Sequence, residues 1–212
     1  MKAVVYYERA EGAIEIRDVP VPTVAPDECL VEVKCCGICG SELHMFHGQL
    51  NVLAQPPVVL GHEWSGEIVE VGEHVEGFAV GDRVTCETAA HTCGRCVFCR
   101  SGDYNLCPER RAFGFAVDGA FTKYVSAGHR LLHAVPEDVS YEAAAMCEPI
   151  CVAYNAVIEK SRLQPGAVTV IIGPGPVGLF CLQIAKIAGS GTVVVTGTDR
   201  DADRLELARR LG

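Results

Sequence analysis

The 212-residue sequence is short of positive charge, of aromatic side chains and of long apolar runs. Its 18 Lys and Arg stand against 27 Asp and Glu, a formal net charge of −9. That leaves no basic footprint for a nucleic-acid backbone or an anionic lipid surface. No stretch approaches the ~18 consecutive apolar residues of a membrane span. The amino terminus, Met1-Lys2-Ala3-Val4-Val5-Tyr6-Tyr7, reads as a strand and lacks the apolar core and small-residue cleavage site of a signal peptide. The chain is therefore expected to be cytoplasmic, with neither membrane nor nucleic acid as a partner. Internal repeats and low-complexity tracts are also missing, and the apolar fraction of 49% is ordinary for a globular protein.

Cysteine, by contrast, is plentiful at 12 residues. The chain is too long to need disulfide staples and has no export signal, so thiols or thiolate ligands are expected. Cys93-Gly94-Arg95-Cys96-Val97-Phe98-Cys99 followed by Cys107 forms a C-x2-C-x2-C-x7-C set. Two-residue spacers let consecutive thiolates turn onto one ion, with Gly94 and Gly102 supplying turns. Four thiolates close a tetrahedral zinc shell with no position left for water or substrate, which makes the site structural. An iron–sulfur cluster is the competing reading of the same ligands.

Residues 1–150 carry short β-rich segments, such as Glu67-Ile68-Val69-Glu70-Val71, whose alternation suits half-buried strands of an antiparallel sheet. The character changes after Pro136. Ser140 is expected to cap a helix that Pro149 bends or interrupts. The apolar run Val168–Ile172 reads as a strand buried on both faces of a parallel sheet. Thr192–Thr196 reads as a second strand, with helices from about Val177 and from Asp201. The fold class expected is α/β: an antiparallel β-rich domain over 1–150 and the first part of a doubly wound parallel sheet over 151–212. A β-α-β-α start with exposed edges suggests the front part of a longer protein, a self-contained small fold being the alternative.

A second ligand constellation is dispersed. Cys39, Ser41 and His44 follow one another at C-x-S-x-x-H spacing, His62-Glu63 follows about twenty residues later, and Glu148-Pro149 lies much further on. A thiol, an imidazole and a carboxylate form a mixed shell suited to a catalytic zinc with one open position. Because His62 and Glu63 are adjacent, both could ligate only at a bend. Ile172-Gly173-Pro174-Gly175-Pro176-Val177-Gly178 adds a G-x-G-x-x-G between strand and helix. There the first glycine makes the turn, the second admits a pyrophosphate and the third lets helix approach strand. Asp199, 21 residues after Gly178, would bind ribose hydroxyls, favouring NAD over NADP, although Arg200 follows it and Asp201 could equally cap the next helix.

The chain resembles the zinc-dependent medium-chain alcohol and polyol dehydrogenases, in their sorbitol and threonine dehydrogenase flavour. Gly61-His62-Glu63-x-x-Gly66 with Gly72, the four-cysteine lobe, the Gly81-to-Val84 G-D-R-V stretch and the glycine-rich turn all occur in that family's order. The resemblance implies a GroES-like catalytic domain followed by a Rossmann domain, and two zinc ions per chain, one catalytic and one structural. It makes Cys39 and His62 direct ligands and either Glu63 or Glu148 the third, with Ser41 and His44 relaying a proton. It also places Gly173, Gly175, Val177, Gly178 and Asp199 around NAD. It implies an alcohol or polyol substrate and a dimer or tetramer. The alternative is a zinc-binding fragment without catalytic function. The seven remaining cysteines, at 29, 35, 36, 86, 147, 151 and 181, are expected to be buried thiols, and Glu87 and His91 to flank the lobe.

Overall fold

The computed structural model describes residues 1–49 and 54–212, which divide into two compact units, Met1–Glu148 and Pro149–Gly212. The first unit is β-rich. Its five-stranded sheet runs β7 (Tyr124–Gly128), β3 (Glu28–Gly37), β5 (Glu63–Val71), β6 (Arg83–Cys86), β8 (Leu132–Ala134), every pair antiparallel. A smaller antiparallel sheet holds β2 (Ile14–Asp18), β1 (Lys2–Tyr6) and β4 (Val58–Val59). Short helices α1 (Gly40–Phe46), α2 (Val97–Ser101) and α3 (Tyr141–Ala145) decorate these sheets.

Alternation in the strands sorts side chains between core and solvent. Val31, Ile68, Val84 and Val125 point inward and pack with Trp64, which is 1% exposed and meets Phe113 edge-on at 6.3 Å. A second core gathers Tyr6, Met45, Val58 and Leu60. Met45 comes from α1, so that helix is anchored by its buried face. The β3–β5 register shifts between Leu30 and Val31 and again between Val33 and Cys35. Such bulges bend a strand and re-aim the residues beyond them.

The second unit pairs β9 (Val168–Ile172) with β10 (Thr192–Thr196) in parallel, joined by α5 (Pro176–Ile187) and followed by α6 (Ala202–Leu211). Both helices pack on one sheet face, where Ile171, Leu182 and Ala208 are buried together. The expectation that β9 is buried on both faces is not met among the described residues. Val168 is 71% and Ile172 89% exposed, because no described element covers the opposite face.

The helix read from Ser140 also differs. Ser140 Oγ accepts from the Ala143 N–H at 3.2 Å, as a capping residue does, but α3 ends at Ala145 and a separate helix, α4 (Cys147–Tyr154), begins after Met146. Pro149 lies in the first turn of α4, where its missing N–H costs nothing, and the helical run is interrupted at Met146, next to the i−4 residue Ala145, rather than bent. None of the described helices is long and apolar enough to cross a membrane.

Candidate metal centres and cofactor turn

The register Gly37↔Glu63 sets the end of β3 beside the start of β5. Cys39 stands two residues past one strand end and His62 one residue before the other, so the dispersed ligands meet where the two strands finish. Two glycines make room. A Cβ on Gly37 would lie 2.4 Å from Glu63 Oε2, so any side chain there would displace that carboxylate from its present position. Gly61 adopts φ +96, the left-handed region, and turns the chain just before His62. The bend required for adjacent His62 and Glu63 to face one point is therefore present. Ligand atoms of Cys39, His62 and Glu63 lie within 4.8 Å of one another. Glu148 is outside that group but lines the same cavity.

A residue not singled out from the sequence holds the cluster together. Cys39 caps the start of α1, and its backbone N–H donates to Glu42 Oε2 at 2.8 Å. The other oxygen, Glu42 Oε1, is in ion-pair contact with His62 Nδ1 at 2.8 Å, without the alignment of a hydrogen bond. Glu42 is 4% and His62 6% exposed. Burial disfavours a charged His62 ring, but contacts with the Cys39 thiol and the Glu42 carboxylate outweigh it and raise its pKa to about 10. A signal for Glu42 was available: it lies three residues after the capping residue, the spacing of a capping box.

The cluster opens on a cavity of about 600 Å³ lined by Ser41, Gln55, Thr88, Arg110, Phe115 and Glu148, among others. Ser41 Oγ is buried with no hydrogen-bond partner among the described residues. His44, one helical turn on, is exposed, with Nδ1 2.9 Å from Gln49 Oε1. Burial pushes the Glu148 carboxyl up, opposed by His62 and Arg110. Glu87 is occupied elsewhere, accepting from the Tyr104 hydroxyl and lying 3.0 Å from His133 Nε2. His91 pairs through its backbone with Arg111.

Ligand atoms of Cys93, Cys96, Cys99 and Cys107 also lie within 4.8 Å of one another. The sulfurs of Cys93 and Cys99 are 3.9 Å apart and those of Cys96 and Cys99 3.5 Å. Tetrahedral zinc with Zn–S of about 2.3 Å requires sulfur separations of about 3.8 Å, so the four thiols fit that ion. Backbone N–H groups converge on them, from Cys96 to Cys93 Sγ at 3.3 Å, Cys99 to Cys96 Sγ at 3.4 Å and Cys93 to Cys107 Sγ at 3.4 Å. N–H groups of Arg95 and Cys96 draw the Cys93 thiol down to about 6. The other seven cysteines are less uniform than expected: Cys29 and Cys86 are buried, Cys35, Cys36 and Cys181 are half-buried, and Cys147 and Cys151 are exposed. Both exposed thiols sit on α4, whose buried residues are Pro149 and Ala153.

On the second unit, Gly173 adopts φ +98 between β9 and α5, and Pro176 opens the helix. A Cβ on Gly178 would lie 2.0 Å from the Gly173 carbonyl oxygen, whereas one on Gly175 would meet nothing within 4 Å. The first and third glycines thus serve the fold, and the second leaves backbone open to solvent beside Val177. β10 ends at Thr196, so Asp199 lies three residues beyond the strand rather than at its tip. Thr198 opens the short turn Asp199–Asp201, and Asp201 Oδ2 reaches back to accept from the Thr198 N–H at 2.9 Å and from its hydroxyl at 2.8 Å, while making no side-chain cap to α6. Asp199 makes no side-chain hydrogen bond among the described residues.

Comparison with known proteins agrees with this arrangement. Residues 25–137 match the alcohol dehydrogenase GroES-like domain. A sorbitol dehydrogenase of Halalkalibacterium halodurans is 46% identical over the whole of this chain and 61% of its own length. A D-arabitol-phosphate dehydrogenase of Enterococcus avium is 46% identical over 92% of this chain and 55% of its own. A structure from Sinorhizobium meliloti, provisionally described as a zinc-binding dehydrogenase bound to NADP, superposes with a TM-score of 0.91 at 36% identity. It is covered over 59% of its length by the whole of this chain. The chain thus spans about 60% of the length of such relatives. With its GroES-like match, its strand order and its ligand motifs in one sequence, the chain belongs to the zinc-dependent medium-chain alcohol and polyol dehydrogenase family.

Proposed function

We propose that this chain supplies the metal centre and the pyrophosphate turn of an oxidoreductase that moves a hydride between an alcohol and a nicotinamide cofactor. The alcohol is a secondary alcohol, polyol or amino alcohol. The observation that carries this is the convergence of Cys39, His62 and Glu63, the first two of which line a cavity wide enough for a small polyol. Three protein ligands of mixed sulfur, nitrogen and oxygen type are the pattern of a zinc site with an open position, whereas the four-sulfur lobe is a closed one. When bound, the open-site ion supplies Lewis acidity toward the alcohol oxygen.

The chain's own residues do the rest. Glu42 holds the Cys39 backbone and orients the His62 ring, leaving Nε2 to the ligand cluster. Glu63 serves as the third ligand, and Glu148 lines the cavity as a carboxyl raised by burial. Ser41 Oγ, buried and unpartnered, relays the substrate hydroxyl proton, accepting it as it gives up its own hydroxyl proton toward His44. His44, whose Nδ1 donates to Gln49 Oε1, keeps Nε2 free to pass that proton to solvent. The open backbone at Gly175 and the α5 N-terminus receive the cofactor pyrophosphate. The unpaired Asp199 carboxylate binds ribose hydroxyls, which favours NAD.

Metal analysis with cofactor titration tests this reading. Two zinc per chain are expected, falling to about one in Cys39→Ser, with NAD binding retained because its turn lies on the other unit. A zinc content unchanged by Cys39→Ser refutes the proposed centre.

A further inference from the structure

Among the described residues lining the cavity, Arg110 is the one lysine or arginine. It follows the four-cysteine lobe, with its backbone N–H donating to the Cys107 carbonyl oxygen at 3.0 Å, so the lobe fixes where it begins. Its guanidinium makes one recorded contact, Nη2 donating to Thr88 Oγ1 at 2.9 Å, and no carboxylate lies at ion-pair distance from it among the described residues. The nearby Glu109, which could have neutralised it, pairs with Arg95 instead at 3.1 Å. Arg110 is exposed, and it lines the cavity together with Glu148. The chain as a whole carries a formal net charge of −9, so a lone guanidinium in this cavity stands against the overall balance.

A guanidinium has five N–H donors in a planar fork that matches a phosphate or carboxylate in bidentate fashion, and it stays charged at every working pH. Neutral hydroxyls make no use of that charge. From this we infer that Arg110 is a specificity-determining residue that seats an anionic terminus, a phosphate monoester or a carboxylate, on the alcohol substrate. The reacting carbinol then lies at the Cys39–His62 end of the same cavity, and Thr88 Oγ1 holds the guanidinium in place by accepting from Nη2. The inference rests on the dehydrogenase reading for the identity of the rest of the substrate, but not for the anion seat itself.

Calorimetric titration of the zinc-loaded chain with sorbitol, sorbitol 6-phosphate, gluconate and inorganic phosphate, at fixed ionic strength, tests it. A charge-assisted bidentate contact is expected to make one of the two anionic ligands bind about tenfold or more tighter than sorbitol. The stronger arm identifies the terminus as phosphate or carboxylate. Arg110→Gln should abolish that ratio and Arg110→Lys should keep part of it, with zinc content reporting that each variant is folded. A ratio near one in the wild type, or one that survives Arg110→Gln, overturns the anion seat while leaving the dehydrogenase reading intact. Arg110-dependent retention of inorganic phosphate without binding of any polyol does the reverse. No binding of any of the four refutes both.

Discussion

Glu42→Gln removes one charge from a buried side chain that touches two proposed zinc ligands at once. In the wild type one carboxylate oxygen accepts from the Cys39 N–H and the other faces His62 Nδ1, each at 2.8 Å. An amide cannot satisfy both. If its oxygen keeps the Cys39 N–H, its NH2 faces His62 Nδ1 and forces that nitrogen to accept, which moves the ring proton to Nε2, the atom needed for the metal. If it flips, two donors collide at Cys39. Loss of such an outer partner typically weakens metal affinity 10–100-fold, about 1.4–2.7 kcal/mol. Competition with a chromophoric chelator measures this directly, and the four-cysteine lobe serves as an internal control whose affinity should not change.

The metal-free protein gives a second readout of the same pair. The His62 pKa is raised from 6.5 to about 10, so its contribution to stability is complete below about 6.5 and is lost as pH climbs through about 10. Removing one partner of a buried pair costs up to about 3–5 kcal/mol, less where the ring can discharge instead. Thermal melts of chelator-treated protein should therefore fall between pH 6.5 and 10 in the wild type, and this dependence should flatten in Glu42→Gln. Unchanged zinc affinity together with an unchanged pH profile would refute the bridging role.

The other expectations are simpler. Cys96→Ser should release about one zinc per chain and lower the thermal midpoint before any effect on the open site, read by metal analysis alongside a melt. Gly178→Ala drives a methyl against the Gly173 carbonyl oxygen, 2.0 Å from the new Cβ, and should destabilise the second unit by about 1–3 kcal/mol or more, seen in denaturant titration. Alkylation of the zinc-loaded protein at neutral pH, with the four lobe thiolates held by their ion, followed by mass spectrometry should mark the exposed Cys147 and Cys151 first. Cys36, whose thiol burial pushes up to about 12, and the buried Cys86 should stay unmodified until the fold is lost. Early labelling of Cys86 would contradict the packing described for the five-stranded sheet.

Local spacing and periodicity made much of this molecule legible in its sequence. The four-cysteine lobe could be read because its ligands lie within fifteen residues, so that short spacers alone bring the sulfurs together. The same is true of the glycine turn, where one strand end and one helix start sit next to each other in the chain. The alternating stretch Glu67–Val71 and the parallel pair followed from alternation and apolar runs, although the first of these strands begins earlier, at Glu63. Burial of β9 on both faces did not follow, since composition reports that a strand is apolar and not what lies against it.

The open metal cluster needed the tertiary structure. The sequence offered Cys39, His62, Glu63 and Glu148 without ranking the two carboxylates. The β3–β5 register and the left-handed turn at Gly61 brought Glu63 into the group and left Glu148 on the cavity wall. Glu42 and Arg110 emerged for the same reason. Each is an ordinary charged residue in the chain, and its role rests on which partners it meets and which it lacks. Spacing along a chain constrains atoms a few bonds apart, but strand pairing and burial decide how residues twenty or a hundred positions apart share one small volume.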